Sequence, residues 1–215
     1  MPQGNNLHDL SIVILSWNCK ELLLNCLNSV HGKIRGIESE IILVDNGSND
    51  GTVQMIEGLF PNICLIKNNV NKGVARARNQ AIRKSNGRYV LLLDADTEIL
   101  SENMKELIHY MDRNQDVGIL GCSMFNGDDE FYPAARTFPK PIDVIVRRLS
   151  HHGLFTNSDV LIKHHLSNQN AEFPMDVDYV IGAFQLVRKE SIDRVGLLDE
   201  KMFYGFEDAD YCARM

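Results

Sequence analysis

Asn86-Gly87-Arg88-Tyr89-Val90-Leu91-Leu92-Leu93-Asp94-Ala95-Asp96 (NGRYVLLLDAD, 86–96) decides how this chain folds. Asn86-Gly87 stops whatever precedes it. Arg88 to Leu93 is nearly continuous in apolar residues, far short of the roughly 20 needed to span a membrane. It reads as a strand of a buried sheet, and two carboxylates follow it at once. Working backward, Gly73 to Lys84 has helical spacing, with Val74, Ala77, Ala81 and Ile82 inward. Ile63 to Ile66 is a short strand, and a helix before it carries Val53, Ile56 and Leu59 on one face. Asn46-Gly47-Ser48-Asn49-Asp50-Gly51 is turn chemistry, with Asp50 placed to cap that helix. Glu40 to Val44 is a strand ending at Asp45. Leu10 to Trp17 is another, followed by Leu22, Leu23, Cys26, Leu27 and Val30 at helical spacing. Working forward, Ser101 is placed to cap a helix with Met104, Leu107, Ile108 and Met111 on one face, and Val117 to Gly121 is a strand.

Strands that alternate with helices imply an α/β, Rossmann-like fold. Its central sheet is mostly parallel and flanked by helices on both faces. Ligands of such sheets sit beyond the carboxyl ends of the strands. Asn18, Asp45, Asp94 and Asp96 all fall at those ends. The back half is less regular. Phe125 to Asn170 holds Gly127-Asp128-Asp129, prolines at 133, 139 and 141, and the cluster Arg147, Arg148, His151 and His152. Strands return within Val177 to Val187 around Gly182, a short helix covers Ser191 to Val195, and Gly205 to Asp210 opens a last helix that runs to Met215. The chain is expected to be one domain, 1–215, with a ligand-binding half (1–121) and a second half (122–215) that continues beyond Met215.

Four clusters carry chemistry. Asp94-Ala95-Asp96 puts two carboxylates on one side of an extended segment. They repel unless a cation lies between them, and hard oxygen ligands select Mg²⁺ or Mn²⁺. The plain alternative is a solvated loop start in which Asp96 or Thr97 caps a turn. Asp45, in Val44-Asp45-Asn46-Gly47-Ser48, can accept the ring N–H of uracil or thymine, or merely shape a turn. In Asn71-Lys72-Gly73 and Arg76 to Asn79, Lys72 or Arg76 can reach a phosphate at a helix start; Arg76, Arg78 and Asn79 can equally be an exposed face. Glu207-Asp208-Ala209-Asp210 can supply a base to deprotonate a hydroxyl, or simply complement a helix N-terminus.

The composition narrows the partners. The 215 residues carry a formal charge of −7, which argues against nucleic acid; a phosphorylated ligand can still bind if a cation supplies the positive charge. Five cysteines with no CxxC pair fit reduced thiols in a cytoplasmic setting. The polar N-terminus has no apolar core like that of a signal peptide. No phosphate-loop GxxxxGK[ST] and no GxSxG elbow is present.

Taken in order, LSIVILSWN (10–18), IILVDNGSNDGT (41–52), NKGVARARNQAI (71–82), GRYVLLLDADTEI (87–99) and GAFQLVRKESIDRVGLLDEKMFYGFEDADYCAR (182–214) resemble the family 2 glycosyltransferases. That family has the A-type nucleotide-diphospho-sugar transferase (GT-A) fold, and the bacterial rhamnosyltransferase-like branch is the most similar part of it. The resemblance implies an inverting, metal-dependent hexosyltransferase-like enzyme. A sugar would pass from a UDP- or dTDP-linked donor to a saccharide or lipid-linked acceptor in cell-surface polysaccharide synthesis, at the cytoplasmic face of the membrane. It implies Asp45 on the base, with Trp17 and Asn18 lining the pocket, and Arg76 and Asn79 near the nucleotide. Asp94 would meet the ribose or the metal, Asp96 would be the main metal ligand, and Asp208 the base. Glu207 would shape the acceptor side, where Gly182 and Ala183 also lie. A homodimer and peripheral membrane contact, the latter through Arg147 and Arg148, are compatible with this reading. Many members of the branch carry Asn-Pro-Asp where this chain has Asp94-Ala95-Asp96, and the Gln-x-x-Arg-Trp motif of processive members is absent. Leu91 to Thr97 is also read as the DxDxT of haloacid-dehalogenase-like phosphatases, with Asp94 as nucleophile and Asp96 as general acid/base. A domain that binds nucleotide sugar without turnover is the non-enzymatic alternative.

Overall fold

The computed structural model describes residues 8–138 and 174–215; the basic-histidine cluster 147–152 and His164-His165 lie outside them. Six strands form one sheet in the order β3-β2-β1-β4-β10-β5. They are β1 (His8–Ser16), β2 (Ser39–Asp45), β3 (Cys64–Lys67), β4 (Gly87–Asp94), β5 (Ile119–Leu120) and β10 (Phe184–Arg188). β3, β2, β1 and β4 run parallel, in a register that sets Leu15 beside both Val44 and Asp94. β10 runs antiparallel to β4, with Phe184 opposite Leu93, and β5 is antiparallel to β10. Two ribbons complete the strands of the described residues: β6 (Met124–Phe125) with β7 (Phe131–Tyr132), and β8 (Ala135–Arg136) with β9 (Tyr179–Val180).

Period-two alternation divides the strand side chains between two apolar layers. Leu10, Ile12, Ile14, Tyr89, Leu91, Leu93, Phe184 and Leu186 pack against α1 (Lys20–Lys33), α2 (Thr52–Leu59) and α4 (Met104–Arg113). Val13, Ile42, Val44, Val90, Leu92 and Val187 pack against α3 (Val74–Ile82), α5 (Lys189–Val195) and α6 (Glu207–Arg214). A strand covered on both faces must be apolar throughout, which is why Val90 to Leu93 has no polar member and no exposure.

Several element ends differ from the sequence reading. α4 starts at Met104 behind Asn103, and Ser101 lies exposed outside it. α3 stops at Ile82, short of Lys84. Asp50 does not sit directly before α2; Gly51 does, with φ 85°. Asp50 still ties both neighbouring helix starts. Its Oδ1 accepts from the Thr52 N–H (3.1 Å) and hydroxyl (2.6 Å), and its Oδ2 from the Lys20 N–H (3.0 Å).

The amino end of β4 is held by charge. Arg88 bonds Asp112 of α4 through both terminal nitrogens and Asp9 of β1 through Nε at 2.7 Å; Tyr89 donates its hydroxyl to Asp112 at 2.8 Å. Arg88, helped by Tyr89, holds the Asp112 carboxyl below the usual range against the opposing effect of burial. A depressed carboxyl stabilises the fold above its unfolded pKa of about 3.9, and that contribution fades as the pH falls through the folded value. We therefore expect Asp112→Asn to cost about 1 kcal/mol at neutral pH, a modest figure because solvent screens a partly exposed pair. In urea unfolding, the difference from the wild type should shrink below about pH 4.

Candidate active site

The carboxyl ends of β1, β2 and β4 open on one side of the sheet, and turn chemistry binds them together. Asp45 ends β2, is 1 % exposed, and divides its two oxygens. Oδ2 accepts from the N–H groups of Gly47 (3.2 Å) and Ser48 (3.1 Å), which is the turn-shaping role. Oδ1 is buried and has no partner among the described residues. An unpaired buried acceptor costs about 1–3 kcal/mol, so it marks a place where a donor is missing. Beside it, Asn18 stands at φ 50°. Its N–H donates to Ser48 Oγ (2.9 Å) and its Oδ1 accepts from the Asn49 N–H (2.9 Å), which stitches the end of β1 to the turn after β2. Trp17, just before Asn18 in the chain, is 54 % exposed.

Asn46 holds the third wall. Its Oδ1 accepts from Asn68 Nδ2 (3.1 Å) and the Lys72 N–H (3.0 Å), and its Nδ2 donates to Asn71 Oδ1 (2.9 Å). This buried amide network pins residues 68–73 and so fixes where α3 begins.

Arg78 of α3 organises the centre. It is 1 % exposed, and its Nη2 donates to Asp94 Oδ1 (2.5 Å) and to the Gly182 carbonyl (2.7 Å). The Gly182 N–H donates to Asp208 Oδ2 (3.2 Å), and Asp208 Oδ1 accepts from the Ala209 N–H (2.8 Å). The Asp94 N–H donates to the Ala183 carbonyl (3.1 Å). A Cβ at 182 would lie 2.7 Å from Arg78 Nη1 and would push the guanidinium from its place. Asp94, Gly182, Ala183 and Asp208 are thus joined in one run of contacts through a cation that sequence reasoning left among the exposed alternatives. The signal was present: Arg78 lies four residues after Val74 and four before Ile82, on the inward stripe of α3.

Two expected nucleotide contacts do not join this convergence. Arg76 faces solvent, its side chain 62 % exposed and 3.7 Å from Glu200. Asn79 is fully buried. Its amide spans the Leu198 backbone, accepting from the N–H (3.1 Å) and donating to the carbonyl (2.9 Å), and it also donates to Glu200 (3.1 Å). The helical period places both residues off the Arg78 stripe, one outward and one against the 198–200 loop.

The carboxylates differ in setting. Burial pushes the Asp94 carboxyl up from its ordinary range; Arg78 opposes this, while Asp96 and Asp208 add to it. Burial likewise raises Glu207, with Arg78 opposing. Glu207 is 7 % exposed, and its Oε2 has no partner among the described residues. Asp96 is exposed and hydrogen-bonds to none of the described residues. Under the strand end, burial drives the Cys26 thiol to about 12, with Asp96 and Asp94 adding, and it donates weakly to the Asp94 carbonyl. No group of three or more His, Cys, Asp or Glu side chains able to hold a metal ion forms among the described residues. Asp96 with the second oxygen of Asp94 is a two-carboxylate set. Mg²⁺ takes such a set when substrate phosphates and water complete the shell. The donors therefore fit a cation that arrives with a diphosphate. A hollow of about 590 Å³ opens next to Asp96, between Ser101, Met104, Met124, Phe125 and Phe184.

Removing the guanidinium leaves Asp94 and the Gly182 carbonyl without their partner. We expect Arg78→Met to lose about 2–3 kcal/mol in urea unfolding, less than a fully buried pair because the Asp94 side chain is 41 % exposed. Arg78→Lys should recover part of this loss, since both bonds come from the single Nη2 and an ammonium also carries several donors.

Comparison with known proteins places this geometry. Residues 11–196 match the model of Glycosyl transferase family 2. The chain is 35 % identical over 104 residues to the UDP-Glc:alpha-D-GlcNAc-diphosphoundecaprenol beta-1,3-glucosyltransferase WfaP of Escherichia coli, covering 48 % of this chain and 41 % of that one. It is 26 % identical over 205 residues to the dTDP-rhamnosyl transferase RfbF of Shigella flexneri, covering 94 % and 61 %. The chain thus spans less than two thirds of either relative. Among solved structures it resembles S. aureus TarS 1–349 in complex with UDP (TM-score 0.67, 18 % identity, covering 95 % of this chain and 54 % of that one). It also resembles the mannosyltransferase PcManGT of Pyrobaculum calidifontis in complex with GDP-Man and Mn²⁺ (TM-score 0.60, 18 % identity, covering 95 % and 50 %). The phosphatase reading falls with this result, and also on spacing: Thr97 follows Asp96 directly, where DxDxT requires one residue between them, and position 98 is Glu. The mixed, mostly parallel sheet is that of the GT-A fold, and the chain belongs to glycosyl transferase family 2.

Proposed function

We propose that this chain binds a UDP- or dTDP-linked sugar beyond the carboxyl ends of β1, β2 and β4. It transfers the sugar, with inversion, to a saccharide or lipid-linked acceptor in cell-surface polysaccharide synthesis. The observation that carries the donor half is Asp45 Oδ1, which has no partner among the described residues and lies at the turn that Asn18 joins through Ser48 and Asn49. A uracil or thymine ring N–H supplies the donor that this oxygen lacks, and the Trp17 indole gives the base an apolar wall. The other oxygen is spent on Gly47 and Ser48, so the carboxylate is already aimed before a ligand arrives.

Asp96 and the second oxygen of Asp94 are the residues that would hold a divalent cation, Mg²⁺ or Mn²⁺. Bound there, the cation supplies positive charge to the leaving group. Two of the proteins that this chain resembles were solved with UDP and with GDP-Man and Mn²⁺, which supports the ligand class. Arg78 offsets the charge of Asp94 and keeps the second carboxylate from being repelled out of the site.

Asp208 is the base. The N–H groups of Gly182 and Ala209 each bond one of its oxygens, which orients the carboxylate and leaves lone pairs for an acceptor hydroxyl. That hydroxyl gives its proton to Asp208 and attacks the anomeric carbon from the face opposite the departing diphosphate. One C–O bond forms as the other breaks.

A thermal-shift series with UDP, dTDP, ADP and GDP, with and without Mn²⁺, tests the donor site. UDP or dTDP with Mn²⁺ should raise Tm, Asp96→Ala should remove the metal-dependent part, and Asp45→Ala should remove the preference for a pyrimidine. Equal stabilisation of Asp96→Ala and wild type would contradict the metal assignment. Asp208→Asn should keep nucleotide binding while transfer falls about 10²-fold or more. A wild type that binds nucleotide sugar and never transfers it would instead be a binding domain.

A further inference from the structure

Phe203, Tyr204 and Phe206 crowd the segment just ahead of the Glu207-Asp208 pair and are 60, 85 and 56 % exposed. Single exposed apolar side chains are ordinary; a contiguous set calls for a reason. The segment is not loose. The Val74 N–H donates to the Phe203 carbonyl (2.8 Å), and the Asp210 N–H donates to the Phe206 carbonyl (3.0 Å). Gly73 lets the first foot lie close, since a Cβ there would stand 2.6 Å from that Phe203 oxygen. Between the feet, Gly205 (φ 87°) and Phe206 (φ 67°) both turn left-handed. Glycine does this freely, whereas a bulky L-residue is strained. At Phe206 the strain is not offset by burying the ring, and such outliers gather at ligand clamps and active sites.

Phe206 lies two residues before Asp208, so their Cα atoms are at most about 7 Å apart. Whatever delivers a hydroxyl to Asp208 must pass beside this arch. We infer that Tyr204 and Phe206 form a stacking platform for the pyranose ring of the acceptor saccharide, which sets its hydroxyl toward Asp208. The inference rests on the reading of Asp208 as the base. The proximity of Asp208 selects a sugar over a lipid surface. Lys72, Arg76, Arg83 and Lys201 stand near the arch together with Asp199, Glu200, Glu207 and Asp208, and Arg76 and Arg83 are paired with Glu200, so the rim carries no basic excess to hold anionic headgroups. A sugar presents an uncharged C–H face to the rings and hydroxyls to the carboxylates.

Saturation-transfer NMR on the full chain with UDP and Mn²⁺ tests this, with the methyl glycosides of glucose, N-acetylglucosamine, galactose and rhamnose as probes. At least one should take up saturation from aromatic protons in the wild type. Tyr204→Ala and Phe206→Gly should each weaken its binding about three- to tenfold and leave UDP binding unchanged. Tyr204 is so exposed that its removal should not disturb the fold. Unchanged sugar signals in both variants, or no signal from any of the four sugars in UDP-bound wild type, would overturn the platform. So would loss of binding to phosphatidylglycerol vesicles in the variants with sugar signals intact, since the arch would then be a membrane contact. An Asp208→Asn variant that keeps full transfer, while the platform variants lose sugar, would remove the base assignment and leave the platform standing.

Discussion

The buried guanidinium of Arg78 ties together three segments that the chain order keeps apart. α3 carries it, the end of β4 supplies the Asp94 carboxylate, and the bend before β10 supplies the Gly182 carbonyl. Through the N–H of that same Gly182, the start of α6 is drawn in as well. A cation without solvent is expensive unless its partners are well placed, so the two halves of the molecule must meet in one arrangement for Arg78 to be satisfied. Gly182 is the steric condition, because any side chain there would collide with the guanidinium.

Around this ion pair the acidic groups take separate tasks. Asp45 has a buried oxygen waiting for a donor. Asp96 projects freely from the strand end, Asp94 is half occupied by Arg78, and Asp208 is aimed by two backbone N–H groups. Four carboxylates near one crevice would repel each other without Arg78 and an exogenous cation.

Much of this was legible in the residues. The apolar run Val90–Leu93 is unbroken because both faces of its strand are covered, so buried parallel strands advertise themselves. The carboxylates at strand ends follow from the same pattern. The parts that escaped depend on tertiary context. Arg78 has the composition of a surface residue, and only its place on the Val74–Ile82 stripe hinted that it turns inward. Asn79 carries a polar amide that sequence cannot assign to a ligand or to the Leu198 backbone, and packing decides for the latter. Ser101 has the right chemistry for a helix cap, but the helix starts behind Asn103, because local capping preference is weak beside the packing of Met104 and Ile108. The partnerless oxygen of Asp45 has no sequence signature, since its other oxygen does what an Asp in a turn normally does.

The central claim is spatial: Asp96 and Asp94 bridge to a diphosphate through one divalent cation, while Asp45 takes the base. Crystals grown with UDP and Mn²⁺ and measured at the manganese absorption edge address it directly. The account requires one anomalous peak within bonding distance of Asp96 and the diphosphate oxygens, with the uracil ring N–H on Asp45 Oδ1. A peak away from Asp96, or a uracil ring outside the Asp45 corner, would contradict it.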